Sequence, residues 1–174
     1  VFLKLRDIGG NVLPPYEEEF REVRMSGPQG VAYQHLANVL TSELKQALRR
    51  RDTTLLGVVL NVLLAWPDVC FRPETVVPPR DKRGLAFSPA IFSDHELMPK
   101  ERELIRICTE EKAAGRKVLI YTIYTGTRDT TARLKRILEL EGFKVAVLRA
   151  NVESSRREDW IAESLDRGID LLVT

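Results

Sequence analysis

Residues Lys117–Thr174 read KVLIYTIYTGTRDTTARLKRILELEGFKVAVLRANVESSRREDWIAESLDRGIDLLVT. Three short apolar runs stand out, Val118 to Ile123, Val145 to Leu148 and Ile169 to Val173, of the kind a parallel sheet buries on both faces. The segments between them have helical periodicity. In the first, Leu134, Ile137 and Leu138 share a face, Arg133, Lys135, Arg136 and Glu139 point elsewhere, and Gly142 sits where a helix ends. In the second, Ser155 and Glu158 have capping-box spacing, Trp160, Ile161 and Leu165 make an apolar stripe, and Gly168 follows the last turn. Strand, helix, strand, helix, strand with short turns predicts right-handed crossovers over a parallel sheet, with binding at the carboxyl ends of the strands.

Working back from this stretch, Pro99 to Gly115 is predicted to be a helix with Pro99 at its start and Leu104, Ile105 and Cys108 facing inward. Before it, Pro67 to Met98 holds Pro73, Pro78, Pro79 and Pro89, which predicts turns and short strands. Thr53 to Trp66 is apolar nearly all round, as a packed core helix would be. A long helix is expected from about Pro28 to Arg50, with Leu36, Val39, Leu40, Leu44 and Leu48 on one face and Arg49, Arg50 and Arg51 against its C-terminal dipole. EEEFREVRMS alternates at Val23 and Met25 and reads as an edge strand. Residues 1–15, with Gly9, Gly10, Pro14 and Pro15, read as a linker or the remnant of a preceding lobe.

At 174 residues and 44% apolar content the chain suffices for one good-sized domain. The greasy stretch Leu55 to Trp66 falls short of the roughly 20 residues that cross a bilayer, and the opening residues carry no cleavage-site pattern. The expectation is a cytoplasmic protein with no membrane contact. Cys70 and Cys108 belong to no CxxC pair and His35 and His95 lack ligand spacing, so no metal site is expected, and both thiols read as packing residues. Between Arg116 and Arg157 stand ten Lys or Arg against four Asp or Glu, a local balance of +6 within a chain of net charge +2. A basic surface confined to the α/β units suits a polyanion such as nucleic acid.

The candidate contacts lie in two loops that follow adjacent strands. Thr125, Gly126, Thr127 and Arg128 precede a helix N-terminus, where backbone N–H groups favour anions, Gly126 permits close approach and the hydroxyls and guanidinium can donate to phosphate oxygens. Thr127 or Asp129 could equally cap that helix. Arg149, Asn151, Arg156 and Arg157 occupy the equivalent place after the next strand. Side by side, the two loops would form a phosphate-contacting rim. The chain holds neither GxxxxGK[ST] nor GxGxxG, no nucleophile elbow and no legible acid pair, so no catalytic residue is assigned.

The order LPPYEEEFREVRMSGPQGVAYQHL, a helical insert, PKERELIRIC, KVLIYTIYT, VAVLRANVESSRREDWI and GIDLLVT resembles the second RecA-like lobe of Swi/Snf-type ATPases in helicase superfamily two. Leu13 and Pro14, Met25, Gln29 with Tyr33, and Lys100 match elements of that family. Val118 to Tyr121 with Thr125 to Arg128 match its motif IV, and Leu148, Arg149, Ala150 and Arg157 fall on its next signature. Two positions depart from the pattern, Ala150 in place of Gly and Val152 in place of Thr, as in a divergent branch. GIDLLVT is similar to the first half of motif V.

The resemblance implies a three-layer RecA-like lobe of the P-loop NTPase fold over about 16–174, with a mostly parallel sheet flanked by helices and a helical and irregular insert over about 52–98. It implies the second motor lobe of an ATP-dependent DNA helicase or translocase, gripping the phosphate backbone through the two loops. In that family ATP and Mg2+ are held with a first RecA-like lobe, and hydrolysis needs arginines of motif VI. None of these stands in this chain, so as a fragment it is expected to bind no cofactor and to hydrolyse no ATP alone, an arginine finger being worth about 10³ to 10⁵ in rate. Two alternatives have the same strand, loop and helix layout or insert: a nucleotide-sugar lobe of a glycosyltransferase, and a non-catalytic interaction module docking through residues 67–98 and the helix before them.

Overall fold

The computed structural model describes residues 17–79, 83–124 and 128–174, and the expected linker over 1–15 lies outside them. The chain is an α/β protein with a small parallel sheet flanked by helices. In order come α1 (Gly27–Arg49), α2 (Thr54–Val69), β1 (Glu74–Val76), β2 (Ala86–Ser88), α3 (Pro99–Ala113), β3 (Val118–Ile120), α4 (Thr130–Leu140), β4 (Val145–Val147), α5 (Arg157–Asp166) and β5 (Leu171–Val173).

The parallel sheet has the order β3-β5-β4, so the strand that comes last in the chain sits between the other two. Val118, Leu171 and Val145 stand in register, as do Ile120, Val173 and Val147. These residues face one way and join Cys108 of α3, Ile137 and Leu138 of α4, and Phe143 in a single core. The crossover through α4 passes beyond β5's place and the crossover through α5 returns toward it. Two right-handed crossovers of opposite direction set their helices on opposite faces. Accordingly Ile161 and Leu165 of α5 line a small void with Leu172, whose side of the sheet is the other one. Gly115, Gly142 and Gly168 follow α3, α4 and α5 with φ of +73°, +82° and +75°, a backbone region only glycine enters without strain.

A second core lies between α1 and α2. Leu36 and Leu40 of α1 pack with Val59, Val62 and Trp66 of α2, and Val76 of β1, Cys70 and Met98 close it. Tyr33 tilts against Trp66 with ring centroids 5.9 Å apart. α1 opens with a reciprocal capping box, Gln29 N–H donating to Ser26 Oγ and Ser26 N–H to Gln29 Oε1, while the Gln29 amide donates onward to the Pro67 carbonyl at 3.3 Å. The predicted irregular 67–98 region contains the antiparallel hairpin β1–β2, with Glu74 opposite Ser88 and Val76 opposite Ala86. Both thiols are buried as expected, and burial pushes each up to about 11.

Four expectations are corrected. Residues 17–26 form no strand, because the alternation of Val23 and Met25 finds no partner strand to pair with. α2 is not buried all round: Leu56, Leu60 and Leu64 form an exposed stripe, Leu64 being 69% exposed. The Ser155 and Glu158 capping box does not form, since Ser154–Arg156 winds into a 3-10 turn and α5 starts only at Arg157 without a side-chain cap. Arg133 does not point to solvent. It is 4% exposed and clamps Glu101 of α3 through Nε to Oε1 at 2.5 Å and Nη2 to Oε2 at 3.0 Å.

That ion pair is the joint between the cores. Arg133 also donates to the Glu96 carbonyl at 2.7 Å, its guanidinium lies 4.3 Å from the ring centre of Phe71, and Glu101 accepts from the Met98 N–H at 2.8 Å. Outside it, Lys100 Nζ reaches Asp68 Oδ1 at 2.8 Å. Among the described residues no helix is long and apolar enough to cross a membrane.

Candidate nucleic-acid interface

At the carboxyl edge of the sheet the ladder runs one or two residues past the strands: Thr122 N–H donates to Thr174 O, Thr174 N–H to Ile120 O and Leu148 N–H to Val173 O. This places Thr122, Leu148 and Thr174 along one rim. Above it opens a cleft of about 480 Å³ lined by Arg149, Asn151, Arg157, Thr131, Thr122 and Thr174, with Ile123 and Val147 among its apolar walls.

The side of the cleft toward α4 is built by hydroxyls and a capping carboxylate. Thr122 Oγ1 lies 2.8 Å from Thr130 Oγ1, and Thr130 Oγ1 donates to the Tyr124 carbonyl at 2.9 Å, tying strand end to helix start. Asp129 caps α4 by accepting from Ala132 N–H at 3.4 Å, and Thr131 Oγ1 donates to the same carboxylate. The Thr131 hydroxyl, with the Ala132 N–H and the Arg149 guanidinium behind it, holds the Asp129 carboxyl below the usual carboxylate range. It therefore remains an anion through neutral pH and offsets part of the Arg149 charge 3.5 Å away.

The candidate contact residues divide. Arg149, Asn151 and Arg157 converge on the cleft; Arg157 is oriented by donating from Nε to the Val152 carbonyl at 3.3 Å. Arg156 faces a neighbouring depression with Asp159, Trp160 and Glu163. Arg128 turns away and is half-buried, with Nη2 on Glu74 Oε1 at 2.6 Å and Nη1 on Asn61 Oδ1 at 2.5 Å. Thr125, Gly126 and Thr127 lie outside the described residues. The loop reading passed over Thr122, Thr131 and Thr174. Their signal is positional: each lies within two residues of a strand end or a helix start at the carboxyl edge.

The cleft thus carries two arginines, and among the described residues that line it there is no Asp, Glu, His or Cys. Such a surface can hold the oxygens of a phosphodiester through guanidinium and amide donors, whereas the Thr122 and Thr131 hydroxyls already donate within the protein, to Thr130 and Asp129. Compared with protein-family models, curated proteins and solved structures, the chain matches none.

Proposed function

We propose that this chain is the second, RecA-like lobe of an ATP-dependent DNA translocase or helicase of the Swi/Snf type, and that its cleft tracks the phosphate backbone. The observation that carries the reading is the convergence of Arg149, Asn151 and Arg157 at the carboxyl edge of a parallel sheet, where no described lining residue is an Asp, Glu or His. The three-layer arrangement of such a lobe has its counterpart in α4 and α5 on opposite faces of the sheet, the second face being bare at Leu119. ATP and Mg2+ belong to the opposing first lobe in this reading: the described residues that line the cleft include no Asp or Glu to hold Mg2+, and the sequence has no phosphate-cradling lysine motif. The lobe works in the cytoplasm, turns over no ATP by itself and contributes grip.

The test is fluorescence anisotropy with labelled single- and double-stranded DNA at two salt concentrations. Binding is expected to weaken steeply with salt, and Arg149→Ala and Arg157→Ala each to lower the salt slope by about 1. Loss of affinity without a change of slope in either variant, or no binding to either DNA at low salt, would sink the reading.

A second reading has its own support. Leu119, Tyr121 and Ile123 stand 63%, 78% and 76% exposed along β3 and its extension, and α2 carries its own bare stripe of Leu56, Leu60 and Leu64. Apolar surface of this kind marks protein contacts, so an interaction module is the alternative. Strong binding of an apolar dye with no affinity for DNA would favour it.

A further inference from the structure

The residue with the strongest sequence claim to a phosphate, Arg128, is not aimed at the cleft. Its guanidinium is held by Glu74, the first residue of β1, and by Asn61 on the exposed face of α2. The pair is largely shielded, with side-chain exposures of 20% for Arg128 and 15% for Glu74. By contrast, Arg156 and Arg157 make no ion pair among the described residues. Arg149 has only the long contact to the helix-capping Asp129. One of the four candidate arginines is therefore withdrawn by a carboxylate that comes from outside the α/β units, from the hairpin inserted between α2 and α3.

We propose that Glu74 and Asn61 form an autoinhibitory latch on Arg128, and that a nucleic-acid phosphate competes with the Glu74 carboxylate for its guanidinium. The inference rests on the DNA-binding reading above. The chemistry of exchange is matched: carboxylate and phosphodiester are both anions that accept parallel N–H bonds from one guanidinium fork. With Glu74 seated, Arg128 adds nothing to the cleft. With a phosphate in its place, Arg128 joins Arg149 and Arg157, and the β1–β2 hairpin loses its polar tether to the α4 end of the sheet. The position of Arg128 makes this exchange short, since the next residue, Asp129, caps α4 and contacts Arg149. DNA grip and hairpin position are then alternatives for one side chain, so a ligand on either affects the other.

The experiment compares wild-type protein, Glu74→Gln, Asn61→Ala and the double variant Glu74→Gln with Arg128→Ala in salt-dependent anisotropy with single- and double-stranded DNA. Glu74→Gln keeps the shape and removes the competing charge. It is expected to bind about tenfold tighter than wild type with a salt slope steeper by about 0.9 on duplex DNA, the signature of one added phosphate contact. Asn61→Ala is expected to gain less, and the double variant to lose the whole gain. If wild type binds with the expected salt dependence and neither Glu74→Gln nor Asn61→Ala gains, the latch is wrong and the DNA reading stands. A gain that persists without Arg128 also overturns the latch, because it would come from the general loss of negative charge. If no protein of the set binds DNA, the DNA reading fails first and the latch falls with it.

Discussion

Around Trp66 the molecule buries mainly hydrocarbon, with the Gln29 amide at its edge, whereas between α3 and α4 it buries a complete ion pair. The helical core is filled by Leu36, Leu40, Val59, Val62 and Val76, and even its indole N–H has no hydrogen-bond partner among the described residues. The joint at Arg133 is the reverse case, with both carboxylate oxygens of Glu101, the Glu96 carbonyl and the Phe71 ring all spent on one guanidinium. Apolar packing is tolerant of direction and fills volume. A bidentate ion pair fixes direction, so it suits a boundary where two units must meet at one angle. The first region supplies stability and the second supplies registration.

The comparison breaks most visibly at Trp66. Trp66→Ala is expected to cost about 4 kcal/mol, the usual range for emptying an aromatic site in a core. Urea unfolding followed by the remaining tryptophan, Trp160 on α5, will show whether the α/β half goes down with the helical half or outlives it. Next comes Glu101→Ala, expected to cost about 3 kcal/mol because it strands a buried guanidinium. Replacing both partners, Glu101→Leu with Arg133→Leu, should recover most of that in denaturant titrations. If the double variant is as unstable as the single one, the joint is not a compensated pair and the contrast between the regions fails.

Smaller effects sharpen the picture within the α/β half. Gly142→Ala forces a Cβ into a φ of +82° and is expected to cost about 1 kcal/mol, read from the same titrations. Asp170 is held below the usual carboxylate range by the Lys112 ammonium and then by the Lys144 N–H. Its folded pKa lies under the unfolded value of about 3.9, so its contribution is complete above about pH 4 and is lost as pH falls through the folded value. Asp170→Asn should therefore flatten the acid limb of a stability profile while leaving Gly142→Ala's penalty unchanged.

Much of this was legible in advance where the pattern was local. The three apolar runs became the three strands, and Gly142 and Gly168 ended helices with the positive φ their positions require. What failed was whatever depended on a distant partner. Arg133 looked solvent-facing by period, because the residue that makes its burial favourable, Glu101, stands 32 positions earlier on another helix. Val23 and Met25 alternate like a strand, yet a strand exists only if another pairs with it. At the cleft, Arg149, Asn151 and Arg157 were readable from loop placement. The diversion of Arg128 was not, because Glu74 and Asn61 lie in segments whose sequence speaks only of turns and greasy helix.

The order β3-β5-β4 also bears on how the protein is made. A ribosome delivers β3, then β4, and neither can pair with the other, because the place between them belongs to residues not yet synthesised. Until Leu171, Leu172 and Val173 emerge, both strands wait with open edges. The helical core has no such delay, since α1 and α2 meet through contacts close in sequence. Nascent chains should therefore carry a folded N-terminal half beside an adhesive, unzipped sheet, and the interval before the central strand arrives is when a chaperone has most to protect.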